Sequence, residues 1–300
     1  MLTQSPRYPY QPITERKPMP FPNGARLAVL VYVNLEHVPF LSHAPGHAIY
    51  PGTTHLVPDI LNHGWRDYGH RVGIWRLMAA LEKHGIRATA HLNGDICREY
   101  PQVVAKGNTL GWEWLGLGDH SQGLMIDMTV EQQHAFVRNV LDTIEQGTGH
   151  RPKGWISWCM TESLETPDVL AQEGIEYVSN YAHDELPVPM AVSNGTLLTL
   201  PYSVEVNDVP TILGKGESPE GFGRIIRDQF DVLYEEAAEL PKIMSISLHP
   251  PVSGHPFRMK HIEAALAHIA SHRDVWLATG AEINFWFRAS CLENDRTSSL

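Results

Sequence analysis

The 300-residue chain can form one large domain or two smaller ones, and a hydrophobic content of 43% is enough for a sizeable core. A formal net charge of −11 excludes nucleic acid and anionic membrane as expected partners, since both need a basic surface. Three cysteines (Cys97, Cys159, Cys291) without CxxC spacing give neither a disulfide framework nor a zinc-finger pattern, which suits a reducing compartment.

In chain order, Met1 to Pro22 is polar and proline-rich and lacks the apolar core of a signal peptide. No apolar run reaches the length of a membrane span. The expectation is a cytoplasmic protein in which residues 1–25 form an extended arm. Arms of this sort pack on neighbouring subunits, so a homo-oligomer (dimer or tetramer) is expected. Leu27 to Asn34 is a continuous apolar run, as for a strand buried on both faces. Val38 to Asp67 is a long loop rich in Pro, Gly, His and aromatics, of the kind that forms lids or binding loops.

Tyr68 to His84 reads as a helix with Gly85 as its C-cap, and Arg87 to Leu92 as the next strand. Tyr100 to Lys106 is a short helix, and a strand begins at Glu113. Thr129 to Gly147 is a helix with Thr129 as N-cap and Gln132 as its capping-box partner. Strands at Trp155, Tyr177 and Leu197 alternate with a helix over 166–174. A long helix over 221–240 precedes the strand that stops at His249. A helix over 259–271, a strand over 275–278 and a helix over 282–289 complete the pattern. This alternation predicts an α/β protein with about seven parallel strands, a single domain over 26–290 and a frayed tail over 291–300.

The chemistry-bearing residues cluster at strand ends, where parallel α/β folds build their sites. The first strand offers Asn34, Glu36 and His37. The third offers Asp119 and His120, the fourth Arg151, Trp155 and Ser157, and the last His249, His255 and Arg258. A carboxylate can take a proton from water, an imidazole can protonate a leaving nitrogen or bind a metal, and a guanidinium can orient a polar substrate. No GxSxG elbow surrounds Ser157.

The segments Val33–His37, Gly118–Ser121, Arg151–Trp155 and Leu248–Pro250 follow the motif order of the polysaccharide deacetylase family, which they resemble. Pro201–Ser203 with Asn207–Asp208, and Ser253–Arg258, also resemble the branch of metal-independent allantoinases, cyclic-imide hydrolases and peptidoglycan-deacetylase-like proteins. The resemblance spans about Arg26 to Arg288 and implies a distorted (β/α) barrel. It carries the family's metal-binding acid onto Glu36 and the first histidine of HxxxH onto His120. The second histidine falls at Leu124, which cannot ligate a metal, and the family's acidic base falls at Asn34.

These departures favour a hydrolase that opens a small cyclic amide, imide or ureide, with Glu36, His120 and His249 as catalytic residues. Asn34, His37, Arg151, Trp155, His255 and Arg258 would bind substrate. No cofactor is required on this reading; if a divalent metal, zinc first, is bound, Glu36 and His120 hold it, with His37, Asp119 or His249 as further ligands. The alternatives are a metal-dependent N-deacetylase of an N-acetylated sugar or peptidoglycan fragment, and a barrel that only binds a small ligand.

Overall fold

The computed structural model describes residues 4–43, 48–119 and 123–292, with side chains as far as Ser290. Within them the chain forms β1 (Leu27–Leu35), β2 (Thr89–Asn93), β3 (Glu113–Gly118), β4 (Gly154–Trp155), β5 (Tyr177–Val178), β6 (Val188–Ala191), β7 (Thr196–Thr199), β8 (Lys242–Leu248) and β9 (Val275–Ala278). The order across the sheet is β6-β7-β5-β4-β3-β2-β1-β8, and β9 pairs with the first half of β1 while β2 pairs with its second half. Every neighbour is parallel except β6 on β7. The result is a distorted (β/α) barrel with a seam beyond β8. There an isolated parallel bridge links Ser247 to Asn207.

β1 explains how the barrel is filled. Its side chains alternate: Leu27, Val29, Val31, Val33 and Leu35 join the apolar layer under the helices, whereas Ala28, Leu30 and Tyr32 join the inner cluster with Leu115, Leu198 and Ile243. A strand apolar on both faces is what burial between helices and barrel interior demands. Asn34 continues the inner row, so the first polar residue inside the barrel appears at the carboxyl end of β1. Thr129 caps the helix Val130–Thr148 with its hydroxyl on Gln132 N–H, and Gln132 returns the bond, as the sequence predicts.

Three segments depart from the sequence expectation. The stretch read as loop to Asp67 turns helical at Ile60, capped by Asp59 on Asn62 N–H. It runs through a wide turn at Gly69–Gly73 into the helix Ile74–Lys83. A short helix, Pro250–Ser253, follows His249 at once, where a stiff loop is expected. β6 is an additional, antiparallel strand.

Arg7 and Phe21, ahead of β1, are both held against their own chain. Arg7 accepts Ala191 N–H at 2.8 Å and pairs with Asp168 at 2.7 Å, and Phe21 is buried 4.6 Å from Trp286. No helix among the described residues is long and apolar enough to cross a membrane.

Candidate active site

Strand register builds the site. Asn34 pairs with His91 on β2, and Val33 with Leu248 on β8, so Asn34, His91 and His249 form one layer across three adjacent strands at the barrel mouth. Asn34 is buried and locked: its Oδ1 accepts from His91 Nδ1 at 2.8 Å, and its Nδ2 points at Leu248 O, 3.5 Å away. The His91 ring stacks on Tyr32 at 4.7 Å. Burial, aided by nearby His249, pushes its imidazole down to about 3, so it is neutral at physiological pH.

His249 is held by Asp208, which is fully buried. Its Nδ1 donates to Asp208 Oδ1 at 2.6 Å, its backbone N–H reaches Oδ2 at 2.7 Å, and the Ser253 hydroxyl donates to Oδ2 as well. Burial opposes charge on the imidazole, but the Asp208 carboxylate and then Glu36 outweigh it and hold His249 above its ordinary value. With Nδ1 committed, Nε2 faces Glu36 Oε1 across 3.9 Å. The backbone of Glu36 is fixed from behind, since its carbonyl accepts from His70 Nε2 at 2.9 Å. Burial drives His70 down to about 4, which keeps it a neutral donor. Tyr202 closes the inner side: its hydroxyl accepts from Asn207 Nδ2 at 3.1 Å, and burial pushes it up to about 12.

Cys159 follows β4 in a left-handed backbone conformation (φ 53°) within electrostatic reach of Glu36. Burial and then Glu36 raise its thiol, so it is not a ready thiolate nucleophile.

The other expected residues fall in different places. His37 is at the mouth, edge-on to Tyr100 at 5.8 Å. Arg151 is not brought to the mouth. It precedes β4, at the opposite end of the strand, and its Nη1 binds Asp142 at 2.6 Å and Glu145 at 2.7 Å on the helix Val130–Thr148. Trp155 is fully buried and belongs to the core: its ring lies over Gly116, where a Cβ would stand 2.4 Å from it. His255 stacks on Tyr68 at 4.3 Å, and Arg258 Nη1 donates to Val252 O at 3.0 Å, so both brace the turn after His249. His120 lies outside the described residues.

Sequence reasoning missed His91 and Asp208 as site residues. The Asn207–Asp208 pair was part of the resemblance, but its partner is 41 positions away; the single signal for His91 was a polar residue inside an apolar strand.

The described residues do not fit a three-ligand metal centre. No three His, Cys, Asp or Glu side chains among them come together as ligands, and Leu124 packs against the inner apolar cluster.

No family model matches the chain. It is 28% identical over 298 residues to a Schizosaccharomyces pombe protein described as a polysaccharide deacetylase, covering 88% of this chain and 91% of the relative. The chain has the polysaccharide deacetylase fold. It is also 24% identical over 259 residues to the Helicobacter pylori peptidoglycan deacetylase, with 75% and 86% covered. Among solved structures, the Puue allantoinase superposes with a TM-score of 0.83 at 23% identity, covering 95% of this chain and 98% of that one. The motif resemblance and these likenesses agree on the fold. The two sequence relatives are named as deacetylases, and this structural neighbour as an allantoinase.

Proposed function

We propose that this chain removes an acyl group from an amide nitrogen, with an N-acetylated sugar or peptidoglycan fragment as substrate. The observation that carries the reading is the opposed pair at the mouth: the Glu36 carboxylate facing the Asp208-bound imidazole of His249 at 3.9 Å. Glu36 takes a proton from water as its oxygen attacks the carbonyl carbon. His249, held toward its protonated form by Asp208, gives the Nε2 proton to the departing nitrogen as the C–N bond breaks, leaving a carboxylic acid and an amine. Asp208 fixes the tautomer and orientation of the acid. Asn34 is spent on His91 and cannot accept a proton, so it shapes the pocket floor. His37 sits where a substrate would pass, and His120 is carried as a further catalytic candidate on the motif alone.

Opening of a cyclic amide, imide or ureide is the second reading. It is favoured by Asn34 and Leu124 standing where the deacetylase pattern has an acid and a histidine. The deciding experiment follows turnover by NMR of an N-acetylated chito-oligosaccharide, succinimide, dihydrouracil and allantoin, each with and without chelator. Acetate release supports the deacetylase, and its loss on chelation would show a metal held with residues such as His120. Ring opening without acetate release overturns the deacetylase in favour of the cyclic-amide reading. No turnover in any arm, with one compound still bound, supports a barrel that only binds.

A further inference from the structure

A cavity of about 710 Å³ lies at the barrel seam, behind Tyr202, between β8 and the N-terminal arm. Ile243, Met244 and Ser245 all line it. Side chains alternate along a strand, so three consecutive lining residues mean that the cavity meets the strand's edge. Lys242 N–H points to β1, where it meets Arg26 O, so the N–H groups of Ile243, Ser245 and Ser247 point into the seam. Ile243 donates to Glu185 O and Ser247 to Val206 O, both at 2.9 Å. Ser245, between them, has no acceptor for its N–H among the described residues. A buried backbone donor without a partner is costly, and a ligand or water must make up the lost bond.

The lining also limits the ligand's charge. Arg16 is spent on Asp184 at 3.0 Å, Glu185 on Lys242 at 2.6 Å, and Glu205 on Lys215. Each charged side chain among the described lining residues thus has an oppositely charged partner. Tyr8, Tyr10 and Tyr202 supply aromatic surface for a flat molecule. Ser245 presents its N–H and C=O on one edge, a donor and an acceptor side by side. The complement is a ring whose own C=O and N–H are adjacent.

We infer that the seam cavity is a second ligand site, distinct from the Glu36–His249 cluster, for a small uncharged planar ring with a lactam edge. Its volume suits a ligand of small-molecule size.

The test titrates the ¹⁵N-labelled full chain with 2-piperidone, with N-methyl-2-piperidone as the control that lacks the N–H. The expected result is a saturable downfield shift of the Ser245 amide proton, with binding weakened at least about tenfold by N-methylation, the worth of one hydrogen bond. Gln229→Trp, an exposed helix position at the cavity wall, abolishes that shift while turnover at the catalytic cluster is kept. Equal binding of the two lactams, shifts confined to the residues around His249, or no saturable shift at Ser245 would each overturn the inference.

Discussion

β8 and β4 hand the chain to their following segments in different ways. β8 runs for seven buried residues and ends directly on His249, whose side chain is caught by a buried carboxylate from a neighbouring segment. β4 is two residues long, and Arg151 stands before it rather than after it. A long buried strand fixes the direction of the next side chain, and its carboxyl end opens at the mouth. A residue ahead of a strand emerges at the other end of the barrel, where charge meets solvent and ion pairs. Two motif residues of similar weight in the sequence thus differ by which end of a strand they occupy.

The largest expected effect breaks this comparison if it fails. His249→Ala should lower kcat by about 10²–10⁴-fold with the fold intact, the usual worth of a general acid. Arg151→Ala should leave kcat within about twofold in the same assay. Equal losses in the two variants would mean that strand end does not decide the role.

Asp208→Asn sharpens the β8 side. The carboxylate raises the His249 imidazole, so the neutral amide lowers it and the acid loses its proton at lower pH. The alkaline limb of the kcat profile should move to lower pH, with roughly 10²-fold loss at its former optimum. A profile of unchanged shape would remove Asp208 from the proton-holding role.

Next comes acid stability. His70 is held at about 4 against 6.5 when unfolded, so below pH 6.5 the unfolded chain binds a proton that the folded chain refuses. Its contribution is present above that value and lost as pH falls toward 4, by up to about 3 kcal/mol, and His91 acts in the same sense. Thermal melts across this window should show the loss, and His70→Gln should flatten the slope. The smallest effect is the stability cost of Arg151→Ala, within about 1 kcal/mol by denaturant titration, because the pair is partly exposed.

Much of the framework is legible in the sequence because it rests on local signals. Leu27 to Val33 is apolar on both faces, the run ending at Leu248 places Met244, Ile246 and Leu248 on one apolar face, and Thr129 with Gln132 marks a helix start three residues apart. The helix from Ile60 is not legible, since Asn62, His63 and Gly64 give little apolar periodicity and its start depends on Asp59 reaching Asn62. β6 contains Pro189 and is half-exposed, as an edge strand tolerates. Within the site, His249 is readable from the strand before it and the proline after it. Asp208 and His91 acquire meaning through registers and contacts that join distant segments, which no local pattern encodes.

β1 draws its partners from both ends of the chain: β2 follows about sixty positions later, whereas β8 and β9 arrive more than two hundred positions on. During synthesis β1 emerges well before β8, so one of its edges stays open until Lys242–Leu248 is made. Loop closure over that separation is slow, so the nascent chain carries an exposed apolar edge while the intervening residues are made. The same strand that anchors Glu36 is therefore the segment with the longest need of protection before the barrel can form.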